Sequence, residues 1–326
     1  MTAPVALRQA PPAAPELQRL SVVVVSFNVA PLLRRCLTSL RRASAEVTSA
    51  GGLGVSTVDV TVVDNASSDG SVELVRREFP DVRLLANGDN RGFGAACNQG
   101  TAGAGDAVLF LNPDAELLPG ALGALLWRLQ ARPRTAVVGP RLIYPGGGPQ
   151  PARRRFPSPL TLLLESTPLQ WRFPHLPIFG RYRCSDRPEG VAEAVDWLSG
   201  AALLVRTAAF RQVGGFDPTY FMYFEELDLC RRLAAYGWQT WYEPAATVVH
   251  HHSQSADQDL PAKDRHFYRS KYRYAARHWG TAIARGLRYA AGALFAAELA
   301  LQARRGDAAA VRRYAALVRW HLHGEA

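Results

Sequence analysis

Phe110-Leu111-Asn112-Pro113-Asp114-Ala115 is the stretch that decides how this chain is read. The apolar run from Ala107 to Leu111 has the length and composition of a short buried strand. Pro113 ends it, because proline cannot donate to a strand ladder. A carboxylate, Asp114, follows just past the strand end. Taken alone, Asn-Pro-Asp is ordinary turn chemistry. In an open α/β sheet, however, ligands bind in the crevice outside the carboxyl ends of the strands. In that setting Asp114 stands where a metal-bound phosphate would sit.

The segments on the N-terminal side supply such a sheet. Leu20 to Phe27 is a valine-rich run without polar alternation, the pattern of a strand covered on both faces. Pro31 suits the first turn of a helix that carries Leu32, Leu33, Cys36, Leu37 and Leu40 at helical spacing. A strand over Thr57–Val63, a turn over Asp64–Gly70 and a helix over Ser71–Phe79 follow. Then come a strand over Val82–Ala86, a loop at Asn90–Gly94 and a small-residue helix over Ala95–Ala102. Four strand–helix alternations predict an α/β fold with a mostly parallel, Rossmann-like central sheet flanked by helices, its loops gathered at one edge. On the C-terminal side the pattern predicts a helix over Leu117–Arg132 and a strand and turn over Ala136–Tyr144. Residues 145–190, rich in Pro, Gly and Arg, read as a long surface loop with some helix. An apolar strand closes Asp196–Arg206, a helix runs from Glu225 to Tyr236, and two short strands cover Gln239–Glu243 and Ala246–His250.

Three acidic positions, Asp64, Asp69 and Asp114, fall in phase at strand ends and project toward one crevice. Each by itself is also a common cap or turn residue. Gathered together, they suit Mg²⁺ or Mn²⁺ with a nucleotide diphosphate, because such a cation takes one or two carboxylates and fills its shell with phosphate and water. On the helix from Glu225, Glu226 falls within the apolar arc of Leu227, Cys230, Leu233 and Ala234. Glu225 and Asp228 fall outside it. Asp228 is expected to pair with Arg232 four residues on, as a solvated surface contact. An inward carboxylate in a first helical turn is costly unless used, which makes Glu226 the candidate general base. Alternation puts His250 and His252 on one strand face and His251 on the other. They are either metal ligands or satisfied polar residues.

Seven strings follow in order along the chain: Val22-Val-Val-Val-Ser-Phe-Asn28, Val62-Val-Asp-Asn-Ala-Ser-Ser-Asp-Gly-Ser71, Asn90-Arg-Gly-Phe-Gly-Ala-Ala-Cys-Asn-Gln-Gly100, Leu111-Asn-Pro-Asp114, Gly200-Ala-Ala-Leu-Leu-Val-Arg206, Gly214-Gly-Phe-Asp217 and Tyr223-Phe-Glu-Glu-Leu-Asp-Leu-Cys230. With the histidines, over roughly residues 20–280, they resemble the inverting family 2 glycosyltransferases of GT-A fold, and among them the bacterial rhamnosyltransferase type. The resemblance implies that Asp64 hydrogen-bonds the donor's base and that Asp69 orders the nucleotide loop. It implies that Asn112 and Asp114 occupy the Asp-x-Asp position, with Asp114 as metal ligand and His250 as a further one. Asn28, Asn65, Gly92, Asn98, Asp196, Trp197 and Gly200 are implied on the substrate-binding surface. Glu225 and Glu226 stand where the family usually has Glu-Asp. The implied reactants are a nucleotide diphosphate-sugar donor and a glycan or lipid-linked acceptor, in cell-envelope polysaccharide synthesis. The Ala- and Pro-rich composition of the N-terminus, without an apolar core flanked by basic residues, predicts a disordered leader over 1–19; a catalytic domain over 20–256 and a basic helical extension over 257–326 are expected to follow. A non-catalytic carbohydrate- or membrane-binding protein on the same fold is the alternative.

Composition sets the remaining bounds. Hydrophobic residues make up 48% and charged residues 20%, as in an ordinary globular protein. Four widely spaced cysteines without a Cys-x-x-Cys pair argue against a disulfide framework and fit a cytoplasmic location. Of the net charge of +10, +9 falls in residues 261–326. Within that tail, Tyr289–Leu301 is too short to span a bilayer. The tail is expected either to lie on the anionic inner face of the plasma membrane as a basic amphipathic helix or to cap the sheet with a solvated basic face. No nucleic-acid partner is expected, since the body has no basic face. A Rossmann dehydrogenase is excluded because the first turn, Ser26-Phe27-Asn28-Val29, lacks G-x-G-x-x-G. The same turn lacks the Gly-rich basic loop of a nucleotidyltransferase.

Overall fold

Seven consecutive residues of the first strand, Leu20 to Ser26, are buried, as a run without polar alternation requires. The computed structural model describes residues 17–50, 52–251 and 260–324. Most of the expected leader, His252 and residues 257–259 lie outside these. Leu17, inside the expected leader, is only 1% exposed, so the folded part begins earlier than the composition suggested.

The strands are β1 (Arg19–Ser26), β2 (Thr57–Asp64), β3 (Arg83–Ala86), β4 (Ala107–Leu111), β5 (Ala115–Leu117), β6 (Thr135–Ile143), β7 (Pro149–Gln150), β8 (Arg153–Arg154), β9 (Glu193–Val195), β10 (Trp197–Leu198), β11 (Ala202–Arg206) and β12 (Gln239–His250). The helices are α1 (Ala30–Ala50), α2 (Ser71–Glu78), α3 (Phe93–Gly100), α4 (Ala121–Ala131), α5 (Pro159–Leu164), α6 (Pro168–Arg172), α7 (Pro177–Tyr182), α8 (Thr207–Gln212), α9 (Glu225–Ala235), α10 (Leu260–Trp279), α11 (Thr281–Arg305) and α12 (Ala308–His323).

The main sheet runs β3-β2-β1-β4-β11-β6-β12-β5. Its first four strands are parallel. Beyond β4 the sheet is mixed: β11 is antiparallel to both β4 and β6, and β12 is parallel to β6. β8 and β10 form a separate antiparallel pair. Helix α1 buries Leu33, Cys36, Leu37, Leu40, Ala43 and Val47, an i, i+3/i+4 series that makes one apolar stripe. Helix α3 lies close on the sheet because its inward positions are small. A Cβ on Gly100 would stand 2.5 Å from Val23 Cγ1.

Two expected elements differ. Ala115–Leu117 is a strand paired antiparallel with β12, and α4 begins only at Ala121. Pro119 explains this, since the residue before a proline is biased away from helix and Gly120 turns the chain at φ 76°. The two expected C-terminal strands are one strand, β12, with a register slip between Glu243 and Thr247 at Pro244.

The chain divides into two units. One holds the sheet and comprises the chain up to Arg154 with Arg187–Leu260. The other comprises Arg155–Asp186 with Pro261–Ala326, so the middle of the expected loop belongs with the C-terminal helices. In this second unit α11 buries Ala284, Leu287, Ala291 and Phe295 and packs on α5, α6 and α12. The Phe295 ring lies 5.8 Å from Tyr268 and 5.1 Å from His321. Lys271, buried here, donates to Glu165 O at 2.7 Å, and burial pulls its ammonium down to about 8. Much of the apolar face of α11 is therefore covered within its own unit. Among the described residues no helix is long and apolar enough to cross a membrane.

Candidate active site

Parallel strands β1, β2 and β4 bring their carboxyl ends to one rim, and a hydrogen-bonded net joins the loops there. Asp64 ends β2 opposite Ser26 and is 1% exposed. Its Oδ1 accepts from Ser67 N at 2.8 Å, whereas Oδ2 is buried without a hydrogen-bond partner. Asn65 donates to Gly92 O at 3.2 Å and accepts from Asn87 at 3.0 Å. Asn28, in the left-handed region at φ 52°, accepts from Ser68 N at 2.7 Å. Asp69 accepts from Ala30 N at 2.7 Å and from Ser71 Oγ at 2.6 Å. Partial burial works against its charge, but the donors from Ser71 and Ala30 prevail and hold the carboxyl below its usual range. Gly92 has φ 80°, and a Cβ there would stand 2.3 Å from Phe221 O. Only glycine fits.

At the end of β4 the polar groups converge differently. Asn112 N donates to Ala201 O at 2.9 Å, and His251 N donates to Asp114 O at 2.9 Å. Asp114 Oδ1 lies 3.3 Å from His250 Nε2, and both side chains are buried. His250 Nδ1 lies 2.8 Å from Gln150 Oε1. That oxygen can only accept, so Nδ1 carries the proton. Asn112 Nδ2, a donor, and Asp114 Oδ1, an acceptor, both stand 3.3 Å from Nε2. A carboxylate oxygen and an imidazole nitrogen thus face one another, a donor set that suits a divalent cation. No third His, Cys, Asp or Glu joins them among the described residues. His251 points away from this pair to Glu116, at 2.8 Å, as alternation along the strand predicts.

The third part is the start of α9. Tyr223 and Phe224, both at φ 69°, are successive non-glycine residues in the left-handed region, a costly conformation that clusters at functional sites. They set the direction in which α9 leaves. Gly200 flanks Glu226, with a built Cβ only 3.5 Å from Glu226 Oε1. Gly200 precedes Ala201, whose carbonyl holds Asn112. One short turn therefore connects Glu226 with the Asn112–Asp114 corner. Burial raises the Glu226 carboxyl above its usual range, against the opposing pull of the Gly200 amide and the Arg154 charge. Its Oε2 is buried without a hydrogen-bond partner. Trp197 pairs with Arg154 across the β8–β10 ribbon, with the guanidinium 5.9 Å from the indole ring. Asp196 precedes Trp197 between β9 and β10.

The helical-wheel expectation for α9 is reversed in part. Glu225 is 6% exposed, and a Cβ built on Gly94 of α3 would stand 3.7 Å from Glu225 Cβ, whereas Glu226 is partly exposed. Burial, then the Glu226 charge, pushes the Glu225 carboxyl well above its usual range. Asp228 makes no solvated pair. It is 0% exposed and holds Arg232 Nε at 2.7 Å, while Arg232 donates to Val213 O and Gly215 O. A wheel assumes one covered side, and α9 is covered on more than one. Asn98 also departs from expectation. Its amide donates to Phe216 O at 2.8 Å and accepts from Phe216 N at 3.0 Å, which holds a turn and leaves little for a ligand. Gln150 was missed. It sits in a two-residue strand after a Gly-rich turn, and nothing in the local pattern marks it.

Comparison with known proteins identifies the family and the fold. Residues 21–186 match the model of glycosyl transferase family 2, and residues 186–324 match that of glycosyl transferase family group 2. The N-acetylglucosaminyl-diphospho-decaprenol L-rhamnosyltransferase of Mycobacterium tuberculosis is 37% identical over 80% of this chain and 85% of its own length. The pre-mycofactocin glycosyltransferase of the same organism is 32% identical over 74% of this chain and 44% of its own. Among solved structures, the mannosyltransferase PcManGT from Pyrobaculum calidifontis, in complex with GDP-Man and Mn2+, superposes with a TM-score of 0.56 at 18% identity, covering 98% of this chain and 92% of its own. A Val-rich parallel half-sheet, a carboxylate just beyond its fourth strand and a matching family model over half the chain have one common explanation: the chain belongs to glycosyl transferase family 2.

Proposed function

We propose that this glycosyltransferase is metal-dependent and inverting, and that it moves a hexose, with rhamnose the first candidate, from a pyrimidine nucleotide diphosphate to a lipid-linked or glycan acceptor of the cell envelope. The observation that carries the reading is the Asn112–Asp114–His250 corner, joined through Gly200–Ala201 to Glu226. Asp114 and His250 would hold Mg²⁺ or Mn²⁺, with phosphate oxygens and water completing the shell. When bound, such a cation offsets charge on the leaving diphosphate. Asp64 Oδ2, a buried acceptor without a partner, receives an N–H of the donor's base. Asn28, Asn65, Asp69 and Gly92 shape the loop around it, and Asp196 and Trp197 border the acceptor. Glu226 removes the acceptor hydroxyl's proton as that oxygen attacks the anomeric carbon, and the single displacement inverts its configuration. Glu225, whose carboxyl burial raises well above its usual range, stands beside it. Catalysis takes place in the cytoplasm, at the inner membrane face. The support for rhamnose and for a lipid-linked acceptor is the 37% identical relative, whose name carries both.

Thermal unfolding with a panel of nucleotide-sugars, with and without Mn²⁺, tests this. A ligand at a hundredfold its Kd stabilises by about 2.7 kcal/mol. A pyrimidine diphosphate-sugar is expected to raise the Tm only with the cation present, and Asp114→Asn is expected to abolish the rise. Stabilisation by NAD alone would overturn the reading.

A further inference from the structure

In the helical unit, α6 is fixed along one side. Arg172 grips Glu298 of α11 through Nε at 3.0 Å and through Nη2 at 2.8 Å. The Trp171 ring lies 6.3 Å from Phe295 and 6.4 Å from Tyr314. The side facing solvent carries three large apolar side chains, with His175 among them. Every residue from Trp171 to Pro177 is exposed, with Trp171 at 47%, Phe173 at 54% and Leu176 at 42%. Exposed apolar residues scattered singly are normal, as with Ile283 or Tyr289. Three large ones within six positions, held in place from behind, mark an interaction surface. Pro174 and Pro177 restrict the segment further, so little order is lost when it is covered.

Charge indicates what covers it. The helical unit carries 17 Lys and Arg against six Asp and Glu, while the rest of the chain is near neutral, with 21 against 22. A protein partner would need an acidic face fitted to this segment. An anionic bilayer supplies negative charge over any area and takes Trp, Phe and Leu at its interface.

We propose that the exposed Trp171–Pro177 segment is an interfacial anchor that seats the helical unit on an anionic lipid bilayer. This moves the membrane contact from the apolar face of α11, much of which is covered, to the insertion between β8 and β9. The inference does not depend on the identity of the sugar or on Glu226. It is read without substrates, so its failure leaves the transferase reading standing.

The test is cosedimentation of the full chain with vesicles of phosphatidylcholine alone or containing a quarter phosphatidylglycerol. The Phe173→Ser/Leu176→Ser variant keeps Trp171 and Arg172, which hold α6 in place. Wild-type protein is expected to bind the anionic vesicles and to leave the neutral ones in solution. The double variant is expected to bind about tenfold more weakly or worse, with unchanged circular dichroism. Equal binding of wild type and variant, wild-type binding to neutral vesicles, or no wild-type binding would each overturn the proposal. A concentration-dependent dimer that the variant loses, without vesicle binding, would assign the segment to a second copy of the chain instead.

Discussion

Two parts of the site treat polar groups in opposite ways. At the rim of β1 and β2, the side chains of Asn28, Asn65 and Asp69 are engaged by backbone or by one another. At the start of α9, Glu225 and Glu226 each keep a buried carboxylate oxygen without a hydrogen-bond partner. Buried polar atoms are nearly always paired, since leaving one unmade costs about 1–3 kcal/mol. The satisfied rim holds shape. The pair on α9 keeps acceptors in reserve, and Asp64, with one oxygen engaged and one left over, belongs to both.

The largest effect expected from this contrast is on Glu226. Glu226→Gln keeps the shape and removes the proposed base, and kcat should fall about 10²- to 10⁴-fold with the Tm held or raised. Glu225→Gln measured beside it should retain most of the activity. Equal losses would erase the distinction between the two carboxylates. Next is Asp228→Ala, which leaves Arg232 without its buried partner. Chemical denaturation should show a loss of about 3 kcal/mol or more, which an exposed pair would not give. Gln150→Leu comes third. It frees the His250 ring, and Mn²⁺ titration should show affinity about 10–100-fold weaker.

The smallest effect is a pH slope. The Glu225 carboxyl is raised by folding, so its stabilising contribution is complete below the unfolded value near 4.5 and is lost as pH rises toward the folded value. Each unit of difference corresponds to about 1.4 kcal/mol. Relative to wild type, Glu225→Gln should therefore gain stability as pH climbs above 4.5 and match it most closely below. Denaturant midpoints across that range measure this, and parallel profiles would show that burial does not govern this group.

What was legible along the chain was whatever repeats locally. The strands of the parallel half announced themselves because burial on both faces demands unbroken Val and Leu, and Asp64 and Asp114 because they follow such runs. The alternation at His250 and His251 was legible for the same reason, since a strand has a period of two. The wheel of α9 misled because a helix in a sheet protein is covered from directions its own sequence does not record. Asp228 passed for a surface residue because its pairing with Arg232 at i, i+4 looks the same wherever the helix is placed.

Sequence by itself determined the fold class, the family and the strand ends where Asp64 and Asp114 stand, because periodicity, turn chemistry and motif order are properties of neighbours along the chain. Only the tertiary structure decided that Gln150 orients His250, that Gly200 stands against Glu226, that Asn98 holds a turn, and that Trp171–Pro177 faces solvent. Those facts depend on which distant segments meet. Burial and hydrogen-bond satisfaction are set by that meeting, and no local pattern encodes them.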